Sequence, residues 1–194
     1  MNTKRVLLIQ GHPDATEPHL CHALAASYTE AAEDAGHAVR HVDISALDFP
    51  LLRSEKDYQY GPVPASLKSA QDDILWAGHI VLFFPLWAGD MPALVKGFFE
   101  QMFRPNVTGA NTSHFSKKPL AGRTARVVVT MGMPALVYRS YFRANSLQSL
   151  ERNLLGMVGI APVHATLIGM TGHMKAAEAG RWLVKIKGLG QRAE

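Results

Sequence analysis

At 194 residues, 47% hydrophobic and 19% charged, the chain has the make-up of one globular α/β domain and not of a disordered or fibrous protein. Twenty Lys and Arg against sixteen Asp and Glu leave +4, spread along the chain without the dense basic stripe and interleaved aromatics that nucleic-acid binding requires; attraction for phosphate-bearing small molecules explains the excess equally well. No apolar run reaches the roughly 18 residues needed to span a bilayer, the single Cys21 excludes an internal disulfide framework, and with no signal-peptide pattern before the first strand the expectation is a single cytoplasmic domain over residues 1–194.

Val6, Leu7, Leu8 and Ile9 form a continuous apolar run, which predicts a first, central parallel strand buried on both faces. A loop from Gln10 to Pro18 follows. From His19 onward Leu20, Leu24, Tyr28, Ala31 and Ala35 recur at helical spacing, with Gly36 as the stop. A helix that starts directly after a central strand carries unpaired N–H groups and the positive end of its dipole, which makes an anion site. His12, Thr16 and His19 can add donors there, or, with His22, can be ordinary polar loop and helix-surface residues. The glycine spacings of a dinucleotide fingerprint and of a P-loop are both absent. No carboxylate-backed ligand set accompanies the histidines, so no metal is expected.

Val39, Val42 and Ile44 mark a shorter, more polar strand nearer an edge. Ser45 to Pro62 reads as a long irregular segment that folds over a site or a partner. Pro64 opens a helix with Leu67, Ala70, Ile74 and Leu75 facing inward. Ile80 to Phe84 is then a second strand buried on both faces, ended by Pro85. Its exit, Leu86, Trp87, Ala88 and Gly89, is a short apolar turn. It suits a flat heterocycle, or Trp87 simply plugs the strand end. A helix follows, with Asp90 near its cap, Pro92 in its first turn and Val95, Phe98, Phe99, Met102 and Phe103 on its inner face.

Arg104 to Gly122 is a second long irregular segment. Ala125 to Thr130 is a fourth strand running into the small-residue turn Met131, Gly132, Met133 and Pro134. Tyr138, Arg139, Tyr141, Phe142 and Arg143 precede a helix carrying Leu147, Leu150, Leu154 and Val158, and Pro162 to Gly169 and Ala176 to Leu189 read as the fifth strand and last helix. Five alternations of strand and helix call for a doubly wound α/β sandwich around a parallel sheet of order 2-1-3-4-5. In that order the ligand crevice lies between strands one and three, so the His12 loop and the Trp87 turn should converge.

Several stretches resemble the NAD(P)H:quinone oxidoreductase family of flavodoxin-like flavoproteins. They are GHPD at Gly11 to Asp14, HALA at His22 to Ala25, FPLWAGDMPALVKGFFEQMF at Phe84 to Phe103, TMG at Thr130 to Gly132, YR at Tyr138 and Arg139, and GIAPV at Gly159 to Val163. The resemblance covers nearly the whole chain. It implies a bound flavin, FMN or FAD, that passes two electrons from NAD(P)H to quinones or similar small electrophiles.

Carried over position by position, it implies that His12, His19, Leu20 and Cys21 hold the flavin phosphate, beside the cofactor-binding donor already read at Thr16. Pro85, Leu86, Trp87 and Ala88 then hold the ring through their backbone, Thr130, Met131 and Gly132 close its other edge, and Tyr138 faces the substrate. Two departures stand out: His19, Leu20 and Cys21 replace the Ser, Phe and Asn of many relatives, and no histidine follows Tyr138 near Arg143 to Ser146, so a Tyr and His proton relay is not implied. Cys21 at a helix start could be a nucleophile or could pack beside Leu20 and Leu24. The family further implies a homodimer, with the 45–62 and 104–122 segments contributing to it. An alternative role is the flavin-binding ancillary subunit that some relatives provide to potassium efflux systems. A one-electron flavodoxin fits poorly, because those carriers are usually acidic.

Overall fold

The computed structural model describes residues 3–105 and 118–194. Five parallel strands, β1 (Arg5–Gln10), β2 (Ala38–Asp43), β3 (His79–Pro85), β4 (Thr124–Thr130) and β5 (Val163–Ile168), form one sheet of order β2-β1-β3-β4-β5. This is the expected flavodoxin-like order. The three central strands are the apolar runs of the sequence, and every residue of β3 is buried. β2 lies at one edge and shows mostly exposed residues, as its polar composition requires.

Alternation along the strands divides the core in two. Val6, Leu8, Val81, Phe83 and Val128 point to α1 (Leu20–Asp34) and the C-terminal helix (Ala176–Arg192). Leu7, Ile9, Ile80, Leu82, Phe84, Val127 and Val129 point to the opposite layer. That layer holds α3 (Lys68–Trp76), α4 (Ala93–Met102) and α6, a helical run of three pieces, Asn145–Ser149, the π-wound Leu150–Leu155 and Gly156–Val158. Two short α-helices, α2 (Glu55–Tyr60) and α5 (Ala135–Ser140), and three single 3-10 turns, Ile44–Ala46, Ala65–Leu67 and Thr171–His173, complete the described chain, and the C-terminal helix is α7. Helices thus cover both sheet faces.

The 45–62 segment is not irregular throughout. It contains α2, capped by Ser54, whose hydroxyl accepts from the Asp57 amide at 3.0 Å. One face of α4 is given over to it. A Cβ at Gly97 would stand 2.6 Å from Leu51 Cδ2, so glycine there lets the Leu51 side chain lie against the helix without shifting. One turn on, Gln101 Nε2 donates to the Pro50 carbonyl at 2.7 Å. Arg104, 1% exposed, donates to the carbonyls of Asp57, Gly61 and Pro62 at 2.9, 3.1 and 2.8 Å. Gly97 and Gln101 share one side of α4, and Arg104 follows just past its end, so together they hold the segment, Gln101 and Arg104 through backbone carbonyls.

Leu75, expected to face inward, is half exposed, whereas Leu67, Ala70 and Ile74 are buried as expected. The difference is geometric: Leu75 adjoins Ile74 and therefore turns about 100° away from it. Residues 106–117, most of the second long segment, lie outside the described residues, and so do the expectations placed on them.

Candidate functional site

β1 and β3 pair in register up to Gln10 and Phe83, so both chains leave the sheet side by side. Gly11 is the contact point: its amide donates to the Phe83 carbonyl at 2.7 Å, and a Cβ there would meet that oxygen and Val95 Cγ2, each at 2.9 Å. Glycine alone lets the loop after β1 turn across the end of β3. The result is a cleft of about 540 Å³ at the carboxyl ends of the central strands. Of the expected residues, His12, His19, Leu20, Cys21, Pro85, Leu86, Trp87, Thr130, Met131 and Gly132 line it. His12 and Trp87 come within 6.1 Å, ring centroid to centroid, at 81°. The two separate turns of the sequence form one site.

Three expected residues do not line the cleft. Thr16 stands one step back, its amide and hydroxyl both donating to Asp14 Oδ1 at 2.8 and 2.6 Å. Ala88 sits at the exposed tip of its turn. Tyr138 is 1% exposed, its hydroxyl lying 2.7 Å from Ser146 Oγ and accepting from the Leu147 amide at 3.2 Å. That hydroxyl holds α5 to α6 instead of facing the cleft. Asp14, Thr171 and Gly172 line the cleft without having been singled out. For Asp14 a local signal exists, since Asp followed two positions later by Thr is an Asx-turn pattern.

The α1 side of the cleft is built to take an anion. His19 is the N-cap, extended at φ −110° and ψ 155°, and its amide donates to His22 Nδ1 at 3.3 Å. The next two amides, of Leu20 and Cys21, have no protein acceptor among the described residues, as the first turn of a helix dictates. They point, with the dipole, at whatever occupies the cleft. Around them stand three imidazoles. His12 stacks on His19 at 3.9 Å with 20° between planes, and His22 lies 5.1 Å from His12. His19 Nε2 bonds Asp14 Oδ2 at 2.9 Å. No Lys or Arg lines the cleft among the described residues.

Burial, reinforced by the charge of the adjoining His19 when present, holds His12 below the usual imidazole range. Hydrogen bonds from Thr16 and His19 hold the Asp14 carboxyl well below the usual carboxylate range. Burial pushes the Cys21 thiol up to about 12, so at neutral pH it is a packed thiol and no nucleophile. Among the described residues no group of three or more His, Cys, Asp or Glu is arranged to hold a metal ion.

The β3 side is a tight reversal. Trp87 and Asp90 exchange both amide–carbonyl bonds, at 2.8 and 2.9 Å, across Ala88 and Gly89, whose φ values are +48° and +84°. Positive φ at both central positions is the two-residue hairpin geometry. It starts α4 at Ala93, behind Pro92, and employs Asp90 in the turn instead of as the helix cap. It also occupies the Trp87 amide, while the Leu86 amide donates to Thr130 O at 2.7 Å. Neither amide is therefore open to a ligand. What Trp87 offers is its indole, 49% exposed at the mouth. On the β4 side Gly132 faces open space. Unpaired helix amides at one end, a half-exposed indole in the middle and a small-residue edge opposite fit a flat ring that carries a phosphate.

The flavodoxin-like family model Flavodoxin_2 matches residues 4–184. An uncharacterized NAD(P)H oxidoreductase of Haemophilus influenzae is 25% identical over 84% of this chain and 82% of its own. NAD(P)H dehydrogenase (quinone) 1 of Rattus norvegicus is 24% identical over 92% of this chain and 78% of its own. A ribosyldihydronicotinamide dehydrogenase-like protein of Penicillium crustosum is matched at 25% identity over 57% of its length. Among solved structures, the NAD(P)H:quinone oxidoreductase from Methanothermobacter marburgensis superposes with a TM-score of 0.79 at 21% identity, covering 99% of this chain and 98% of that one.

Proposed function

Because this chain belongs to the Flavodoxin_2 family of flavodoxin-like proteins, we propose that it is a flavin-dependent NAD(P)H oxidoreductase acting on quinones or similar small electrophiles. The single observation that carries this reading is the convergence of the His12 loop and the Trp87 turn on one cleft whose anion-binding end is the start of α1. Bound flavin supplies the two-electron chemistry. The chain's own residues bind and orient it.

In this reading the Leu20 and Cys21 amides and the His12 and His19 rings hold the phosphate end. In the tautomer where Nδ1 accepts from the Asp14 amide at 3.2 Å, the His12 Nε2 carries a proton that it can donate to an oxyanion. Asp14, fixed by Thr16, aims His19. Trp87 flanks the ring, Pro85 and Leu86 set its depth, and Thr130, Met131 and Gly132 line its far edge. None of these residues need be a nucleophile, and Tyr138 contributes by joining α5 to α6. The cleft is open enough for a donor and an acceptor to use it in turn.

The oxidoreductase names of the curated relatives support turnover over the ancillary-subunit role. No helix among the described residues is long and apolar enough to cross a membrane, which agrees with action in the cytoplasm. Exposed Tyr141 and Phe142 after α5 leave an apolar surface that a second copy would cover, which supports a homodimer. The test is to purify the protein, supply FMN and FAD separately, and measure retention after gel filtration. Retention of one flavin and its loss on weakening the α1 end support the proposal; binding of neither overturns it.

A further inference from the structure

Among the described residues β5 pairs only with β4, which leaves its other edge open. Along that edge, between α5 and α7, lies a second concavity of about 520 Å³ that shares no lining residue with the first cleft. Its walls divide by chemistry. Arg139 from α5 and Lys185 from α7 supply cations, while Trp182, Leu136 and Leu167 supply ring and apolar surface. No carboxylate lines it among the described residues. Lys185 Nζ stands 4.7 Å from the centroid of the Trp182 ring, so a cation and an aromatic face form one edge of the opening.

Arg139 and Lys185, like most of the other Lys and Arg side chains, have no carboxylate partner among the described residues, so neither charge is already spent in an ion pair. One wall is also strained: Ala144 lines the pocket at φ +47°, directly after Arg143 at φ +52°. Two successive non-glycine residues in the left-handed region are strained, and such strain concentrates where a surface is shaped for a ligand. A pocket of this size with two cations in its lining and a mostly apolar, aromatic remainder has the make-up of a small-molecule site.

We propose that this pocket binds a nucleoside phosphate, the phosphate taken by Arg139 and Lys185 and the base resting against Trp182 and the two leucines. A bare anion leaves the aromatic wall unused, and a neutral ring leaves both cations unpaired. The same chemistry comes from two sources, a free nucleotide or the adenylate half of a dinucleotide donor, and the experiment separates them.

Flavin-loaded wild type and the double variant Arg139→Ala/Lys185→Ala are titrated calorimetrically with AMP, adenosine and inorganic phosphate. Both altered residues are exposed, and Arg139→Lys/Lys185→Arg serves as the charge-preserving control. The expected result is AMP binding at least about tenfold tighter than adenosine or phosphate, weakened about tenfold or more in the double variant and largely kept in the control, the scale of losing charge-assisted hydrogen bonds. Turnover with NADPH and with reduced nicotinamide mononucleotide then identifies the source. A raised KM for NADPH alone assigns the pocket to the donor, and unchanged KM values with AMP binding lost assign it to a free nucleotide. AMP binding that is absent from wild type, equal in the double variant, or matched by phosphate alone overturns the proposal. Calorimetry is read without turnover, so failure here is distinguishable from failure of the oxidoreductase reading.

Discussion

The imidazole of His19 lies flat against that of His12, 3.9 Å between centroids, and is held there by Asp14 at 2.9 Å. Asp14 is thus the residue that aims the donor wall of the cleft, although its carboxylate is itself the wrong charge for a phosphate. Asp14→Ala frees both His19 and Thr16 and is expected to weaken flavin binding about tenfold, the size of one lost charge-assisted hydrogen bond. Asp14→Asn, which keeps an accepting oxygen, recovers part of the loss. Fluorescence titration of the apoprotein with flavin measures both.

The first amide of α1 can be removed without breaking the helix. Proline is favoured at the first helical position, and His19, extended at ψ 155°, already has the backbone that a following proline demands. Leu20→Pro and Leu20→Ala lose the same packing, but only the proline loses the N–H. Flavin affinity is expected to fall about 3- to 10-fold further in Leu20→Pro than in Leu20→Ala, with equal thermal midpoints. Equal affinities would remove the α1 amides from the site.

Arg104 holds the 57–62 backbone through carbonyls, and α4 carries Gly97 and Gln101 for the same segment. Arg104→Ala removes three charge-assisted donors from the 57–62 backbone. The expected loss is about 2–4 kcal/mol, a fall in thermal midpoint of roughly 5–15 °C for a chain of this size. Limited proteolysis should then cut first between residues 49 and 62.

That grip also marks the boundary of what could be read from the chain alone. β1, β3 and β4 are legible because strands buried on both faces must be apolar throughout, and ligand-binding turns follow their ends by topology. Arg104 was legible only as the start of a breaker-rich stretch, because the carbonyls it holds in the 57–62 segment lie 42 to 47 positions away and are backbone atoms that no side-chain pattern encodes. The Trp87 amide was expected to face a ligand, and the hairpin bond to Asp90 that occupies it depends on left-handed Ala88, a conformation alanine does not advertise. Tyr138 was expected to face the substrate through the family resemblance alone. Its bond to Ser146 forms only when α5 folds back on α6.

Acid should destabilise the fold through a residue far from the cleft. His79 is 3% exposed at the start of β3, with Nδ1 2.7 Å from Thr124 Oγ1 and no partner for Nε2 among the described residues. Burial, with the nearby charges of Lys4 and Arg126, lowers its pKa to about 4. The unfolded chain takes up that proton near pH 6.5 and the folded chain resists it, so stability is full above about 6.5 and drops as pH falls toward 4. The expected loss is about 2–3 kcal/mol between those limits. His79→Gln should flatten this window, as judged from urea midpoints at pH 7.5 and 5.

The most direct test of the central claim is anaerobic spectrophotometry of the flavin-loaded protein. Addition of NADH or NADPH is expected to bleach the flavin absorbance stoichiometrically, and subsequent addition of a quinone to restore it, with no metal added. A protein that stays colourless after incubation with FMN and FAD, or whose bound flavin is not reduced by either nicotinamide donor, would contradict the account.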